Sequence, residues 1–388
     1  MKPAARVAAA IDILDRVLAG DPAERCLTNW ARSNRYAGSG DRHAVRDLVF
    51  DAIRCRRSYA ALGGALTGRG LMIGALRAAG TPVETVFDGE GYAPKPLSVA
   101  EATVPPPLGP LEALDCPDWV APHLKADLGD DFGPTMALMQ TRAPLFLRVN
   151  LRKGAVSQAI DQLAADGVTA ERHALAETAL KVTQGARKVQ TSSSYKAGIV
   201  EIQDVASQAV CAAIPVPANA TVLDYCAGGG GKTLALASRS DANFLAFDAN
   251  PERMRDLPAR AKRAGAKVRV LSAGGLDHQG PADLVIADVP CSGSGAWRRQ
   301  AEAKWSLSES RLQELISVQR EILRQVSGYV VSGGRIAYIT CSIFTQENVR
   351  QIELFLHQNP DFILEMQQIF HPLQGGDGLY LAVLRFTS

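Results

Sequence analysis

Several features that would each fix a class are scarce in these 388 residues. No apolar run approaches the ~18 residues needed to cross a bilayer, so no membrane span is expected. The opening Met1-Lys2-Pro3-Ala4 lacks the hydrophobic stretch of a secretory signal, and the cytoplasm is the expected address. The seven cysteines are odd in number and contain no Cys-x-x-Cys pair, which argues against a disulfide framework and against zinc; no metal is expected. Cys26, Cys55, Cys116 and Cys211 read as small buried hydrophobes. Charge excess is small as well, 42 Lys+Arg against 40 Asp+Glu, but it is unevenly spread. Residues 1–70 hold 12 basic against 7 acidic side chains, and residues 71–135 hold 3 against 10. The basic block is compatible with a polyanionic partner and equally with a solvated helical surface. With 47% hydrophobic and 21% charged residues the chain is globular in composition, and its length predicts two or three domains.

Val7, Ile11, Leu14 and Leu18 recur at helical spacing, and further helices are expected around Leu27 and Trp30 and around Val45, Val49 and Ile53. They outline a helical domain over residues 1–80. Eight prolines between Thr81 and Pro117 predict a proline-rich linker with short helices over residues 81–140. A strand at Leu145–Val149, a helix at Val156–Ala165 and two further short strands outline a small α+β module over residues 141–200. Over residues 201–388, apolar runs beginning at Thr221, Phe244, Val268, Leu284 and Arg335 alternate with helical stretches. That alternation predicts a mostly parallel sheet covered by helices. Ligands in such sheets bind beyond the carboxyl ends of the strands, so the chemistry is expected just after each run.

The first run is followed by Asp224-Tyr225-Cys226-Ala227-Gly228-Gly229-Gly230-Gly231-Lys232-Thr233. A phosphate-cradling P-loop needs glycine where Cys226 stands, and a dinucleotide fingerprint needs one where Thr233 stands, so spacing excludes both. Consecutive glycines let a ligand approach the backbone with no Cβ in the way, and N–H groups at a helix start suit a carboxylate. Asp248 ends the second run, where an acidic side chain accepts hydrogen bonds from ribose hydroxyls. Together these features fit S-adenosylmethionine.

The fourth run ends in Asp288-Val289-Pro290-Cys291-Ser292-Gly293-Ser294-Gly295 and the fifth in Thr340-Cys341-Ser342. These two strands are neighbours in a sheet of this type, so both thiols are expected at one cleft. C5 of cytosine is a poor nucleophile until a thiolate adds at C6, which makes C5 able to attack a sulfonium methyl group. One cysteine is therefore demanded, with its thiol ionised or its proton removed. After transfer the C5 proton must leave and the enzyme–base bond must break, a task for which a second thiol or Asp288 is available.

The segments around Cys226, Cys291 and Cys341 resemble the signatures of the Sun-type (NOL/NOP/Sun) RNA cytosine-C5 methyltransferases. Ile202-Gln203-Asp204-Val205-Ala206-Ser207-Gln208 and Leu147-Arg148-Val149-Asn150 resemble that family's upstream motifs. Trp297-Arg298-Arg299, followed by Lys304-Trp305, resembles the bacterial 16S rRNA branch, whose amino-terminal helical domain is NusB-like. The resemblance implies an α/β fold: a class I methyltransferase doubly wound sheet, preceded by an RNA-recognition-like α+β module and the helical domain. It implies methyl transfer from S-adenosylmethionine to C5 of a cytosine in 16S rRNA through a Cys341 adduct at C6, with Cys291 serving release of the product. DNA cytosine methyltransferases use a Pro-Cys cysteine as nucleophile, but the presence of Thr-Cys-Ser favours the RNA family's pattern. The implied cofactor contacts fall on Cys226, Ala227, Gly228, Gly229, Gly230, Gly231, Lys232, Asp248 and Asp288. The sequence departs from the family where Gly228-Gly229 replaces Ala-Pro, and where Ser272-Ala273-Gly274 replaces an aspartate directed at the adenine amine.

Arg148, Arg187, Lys188, Lys196, Arg298, Arg299 and Lys304 are candidates for phosphate contact, with Tyr195 for stacking. Flipping a base out of a helix costs a few kcal/mol, so a loop or an incompletely assembled RNA is the easier target. Two rival readings are a tRNA cytosine-C5 methyltransferase and a catalytically weak RNA-binding ribosome-assembly factor. A monomer is expected.

Overall fold

The computed structural model describes residues 1–388. The chain forms two compact units, Met1–Arg142 with Trp297–Ser306, and Ala143–Ala296 with Leu307–Ser388.

The first unit is built on five helices, Pro3–Leu18, Ala23–Ser33, Ser39–Arg54, Arg56–Gly63 and Gly68–Ala78. Their periodic apolar residues, among them Val7, Leu14, Leu27, Val45, Val49 and Ile53, share one core. Thr67 caps the fifth helix by accepting from the Gly70 N–H at 3.0 Å. The fourth and fifth helices approach so closely that a Cβ on Gly74 would lie 1.9 Å from the Tyr59 carbonyl oxygen, so glycine is required there. The proline-rich stretch differs from an extended linker: Val83 and Phe87 are buried in the same core. Residues 297–306, expected within the methyltransferase sheet, also belong to this unit, because Ala301 and Trp305 pack into its core.

The second unit carries two sheets. The smaller contains β1 (Leu145–Val149), β2 (Thr169–Arg172), β3 (Ala179–Gln184) and β4 (Val200–Ile202), antiparallel in the order β2-β3-β1-β4, with helix Val156–Ala165 between β1 and β2. The larger contains β5 (Thr221–Asp224), β6 (Asn243–Ala246), β7 (Val268–Val270), β8 (Ala282–Asp288), β9 (Val330–Thr340), β10 (Phe362–Phe370) and β11 (Leu379–Phe386), in the order β10-β11-β9-β8-β5-β6-β7. Strands β5 to β9 pair in parallel, whereas β11 is antiparallel to both β9 and β10. Successive residues point to opposite faces, so Val222, Leu284 and Ala337 join one core while Leu223, Val285 and Ile336 join another. Burial on both faces explains the unbroken apolar runs. Strand order reverses between β5 and β8, which opens a crevice at their carboxyl ends. No helix is long and apolar enough to cross a membrane.

Candidate cofactor and two-thiol site

Asp224 ends β5 and is buried. Thr233 donates its hydroxyl to Asp224 Oδ2 at 2.5 Å, and Oδ1 has no hydrogen-bond partner. Burial pushes the Asp224 carboxyl up to about 7. The loop then turns through Gly228 (φ 49°) and Gly230 (φ 75°) into helix Gly231–Ala237. A Cβ at Gly230 would sit 2.2 Å from Leu257 Cδ1, so both conformation and packing require glycine there. The Gly228 and Asn250 N–H groups each donate to the buried Asp248 carboxylate at 2.9 Å, and Arg253 lies 3.3 Å from it. Asp248 thus joins the glycine loop to the carboxyl end of β6. Burial first, then the neighbouring Asp224, holds the Cys226 thiol far above its ordinary range, so Cys226 stays protonated.

The loop carbonyls are held in turn. Gly231 O accepts from Arg148 Nη1 at 3.0 Å and from Gln203 Nε2 at 3.2 Å, and Arg148 also donates to Gln203 Oε1 at 2.6 Å. Arg260 donates to Gly229 O and pairs with Glu201 in β4, which also binds Arg263 at 2.7 Å. Arg148 is 3% exposed, so its expected phosphate contact is corrected: the guanidinium supports the glycine loop from inside.

Both thiols follow neighbouring strands. β8 ends at Asp288, opposite Ile339 of β9, and Lys232 Nζ reaches Asp288 Oδ2 at 2.5 Å. Burial opposes the charge on Lys232, but Asp288 outweighs it with help from the Cys211 sulfur and, last, the Cys341 sulfur, and the ammonium is held above the ordinary lysine range. The Cys341 N–H donates to Cys291 Sγ at 3.3 Å. None of the seven cysteines is in a disulfide. A pair of thiols and a charged Lys–Asp pair therefore meet at the crevice, a combination suited to covalent addition and proton movement.

The remaining basic candidates divide. Arg298 is buried, with Nη2 donating to Thr141 Oγ1 at 3.1 Å and to Arg142 O at 3.0 Å. Lys304 is 1% exposed, donates to Arg54 O at 2.9 Å, and is pushed down to about 8 by burial. Both are internal to the first unit, so neither serves as a phosphate contact. Arg187, Lys188, Lys196 and Arg299 are exposed, and Tyr195 lies half-buried under the Arg263 guanidinium, 4.4 Å from the ring centroid. Sequence reasoning missed the support given to Gly231 by Arg148 and Gln203, and it missed the buried Glu347. Arg148, set between Leu147 and Val149, carried the one local signal, whereas Glu347 lies in the polar run Thr345-Gln346-Glu347-Asn348.

Residues 212–383 match the family model for the 16S rRNA methyltransferase RsmB/F, and residues 116–190 match the ferredoxin-like domain of RsmF/B-like methyltransferases. The ribosomal RNA small subunit methyltransferase B of Xylella fastidiosa (strain 9a5c) is 32% identical over 286 residues, covering 69% of this chain and 68% of that protein. The probable ribosomal RNA small subunit methyltransferase B of Bacillus subtilis is 31% identical over 224 residues, 56% of this chain and 50% of its own length. The chain thus spans about half to two thirds of these relatives. Among solved structures, PH0851 superposes with a TM-score of 0.78 at 25% identity, covering 99% of both chains. NSun6 from Pyrococcus horikoshii, solved with SFG, gives 0.62 at 16% identity over 71% of this chain and all of that one, which shows the shared fold.

Proposed function

Since the chain belongs to the RsmB/F family of methyltransferases, we propose that it methylates C5 of a cytosine in 16S rRNA through a covalent Cys341 adduct. S-adenosylmethionine is its cofactor. When bound, that molecule supplies a methyl group on a positively charged sulfur.

The residues present fit it. Asp224 Oδ1, buried without a donor, suits the ammonium of the methionine part. The Gly228–Gly231 backbone offers an approach free of Cβ atoms, and Asp248 and Asp288 are the carboxylates at the crevice.

One observation carries the chemical reading: the contact between the Cys341 N–H and Cys291 Sγ, beside the Lys232–Asp288 pair. With the cofactor bound, Cys341 Sγ would add to C6, and the electron pair displaced from the C5–C6 double bond would form the bond from C5 to the methyl carbon as that carbon's bond to the sulfonium sulfur breaks and leaves its electron pair on sulfur. The C5 proton then leaves to a base, the C5–C6 double bond re-forms, and Cys341 departs as thiolate. Attraction between charges is mutual, so the Lys232 ammonium favours the ionised Cys341 sulfur at both ends of the cycle. Cys291 and Asp288 serve the release half. Arg187, Lys188, Lys196 and Arg299 remain as the exposed cations for RNA phosphates. Retention of both thiols and of the Lys–Asp pair weighs against a non-catalytic assembly factor.

The test is methyl transfer to 16S rRNA and to tRNA side by side, with nucleoside mass spectrometry of the products. 5-Methylcytidine in the 16S rRNA is expected. Methyl groups on another base, or on tRNA alone, would overturn the reading.

A further inference from the structure

One buried charged group at this site has no part in the steps above. Glu347, 0% exposed, ends the helical turn Thr345–Glu347 that follows β9. Its Oε1 accepts from the Ser292 N–H at 2.8 Å and from Gln319 Nε2 at 2.9 Å. Its Oε2 accepts from the Ser292 hydroxyl at 2.5 Å and from the Ser342 hydroxyl. Ser294 closes the group, with its hydroxyl 3.0 Å from that of Ser292 and 3.1 Å from that of Ser342. Ser292 and Ser342 are the residues immediately after Cys291 and Cys341. Joining two segments needs no carboxylate, because well-packed apolar side chains do it without desolvating a charge. A buried, fully bonded charge between the two thiol-bearing segments therefore has a reason beyond cohesion.

We propose that Glu347 is a positioning residue for the two-thiol reaction: tied to both Ser292 and Ser342, its carboxylate fixes the separation of Cys291 and Cys341 and sets a negative charge behind Cys291. This rests on the two-thiol reading above. The titratable groups around the Cys291 sulfur are Glu347, Asp288, Cys341 and Tyr338. Burial first and Glu347 second push the Cys291 thiol up to about 12, against the opposing Gly293 and Cys341 N–H donors. Cys291 thus keeps its proton at neutral pH and does not compete with Cys341 for C6.

Alkylation of the full chain by iodoacetamide, read thiol by thiol by peptide mass spectrometry, needs neither RNA nor cofactor. Its failure is therefore distinguishable from failure of the methylation reading. Glu347→Gln keeps the side-chain shape and removes the charge. Removing the Glu347 charge lowers the Cys291 pKa, and each unit of that drop raises the thiolate fraction about tenfold while nucleophilicity falls about threefold, so Cys291 alkylation at pH 8 should quicken by roughly three- to fourfold per unit. Glu347→Asp keeps the charge and should restore the wild-type pH profile. Ser292→Ala cuts one tether with the carboxylate in place, and should lower kcat for RNA methylation at least about tenfold with KM unchanged. An unchanged Cys291 profile in a folded Glu347→Gln variant, or a Ser292→Ala effect confined to KM, overturns the proposal. Should Glu347→Gln fail to fold, Glu347→Asp and Ser292→Ala decide it by the same readouts.

Discussion

Replacing Asp224 by asparagine should make the protein more stable and worse at holding its cofactor. In the folded chain this carboxyl is pushed up to about 7 by burial, from 3.8 in the unfolded chain. Below pH 3.8 both states are protonated and the group contributes no difference. Between 3.8 and about 7 the unfolded chain loses the proton while the folded chain keeps it, so stability falls as pH rises, by about 1.4 kcal/mol per unit. The accumulated penalty by pH 8 is about 4 kcal/mol. Asparagine does not titrate, and its carbonyl can still accept from the Thr233 hydroxyl. Asp224→Asn should therefore melt roughly 8 °C higher than wild type at pH 8, at about 2 °C per kcal/mol for a unit of this size, and nearly level with it at pH 4. Saturating S-adenosylmethionine should reverse the order, because an ammonium beside Oδ1 gives the wild-type carboxylate the partner it lacks. Thermal melts of both proteins at pH 4 and pH 8, with and without cofactor, supply the comparison. A variant whose advantage is independent of pH, or which binds the cofactor as tightly as wild type, would refute the reasoning.

Lys304 titrates at about 8 when folded against 10.5 unfolded, so between those values the unfolded chain holds the extra proton and stability rises with pH, by up to about 3 kcal/mol. Lys304→Met should abolish that rise, measured as the difference between the two proteins' melting temperatures at pH 8 and pH 10. Arg148→Ala strips Gly231 O and Gln203 of their shared donor, and should cost roughly 2–4 kcal/mol and weaken cofactor binding in calorimetry. Its RNA affinity should keep the wild-type salt dependence. Lys196→Ala, at an exposed position, should instead flatten the log–log salt slope of RNA binding by roughly 0.7, and an unchanged slope would move the RNA path elsewhere.

The parallel part of the large sheet was legible because burial on both faces leaves continuous apolar runs at Val222–Leu223, Phe244–Leu245 and Leu284–Ala287. The closing pair β10 and β11 was not picked out. β10 is an edge strand with Ile363, Leu364 and Ile369 exposed, so its pattern lacks a clean alternation. Glycine spacing and the two Cys-Ser steps located the candidate site, since both depend on local backbone geometry. What failed was the inference from charge to surface. Arg148, Arg298 and Lys304 carry the charges expected of an RNA face, yet each is spent on backbone carbonyls within its own unit. Which carbonyls need such donors is decided by tertiary packing between segments far apart in sequence, and composition holds no trace of it. Glu347 was hidden for the same reason, its partners lying up to 55 residues away.

The central claim is the division of labour between the two thiols. Its most direct measurement is denaturing electrophoresis of protein incubated with 16S rRNA and S-adenosylmethionine, for Cys341→Ala and Cys291→Ala in parallel. Cys341→Ala should yield no 5-methylcytidine and no RNA-linked band, while still binding cofactor. Cys291→Ala should accumulate an RNA-linked band that survives denaturation, because the adduct forms and is not released. The opposite pattern, trapping by Cys341→Ala with an adduct-free Cys291→Ala, would make Cys291 the nucleophile and contradict the account.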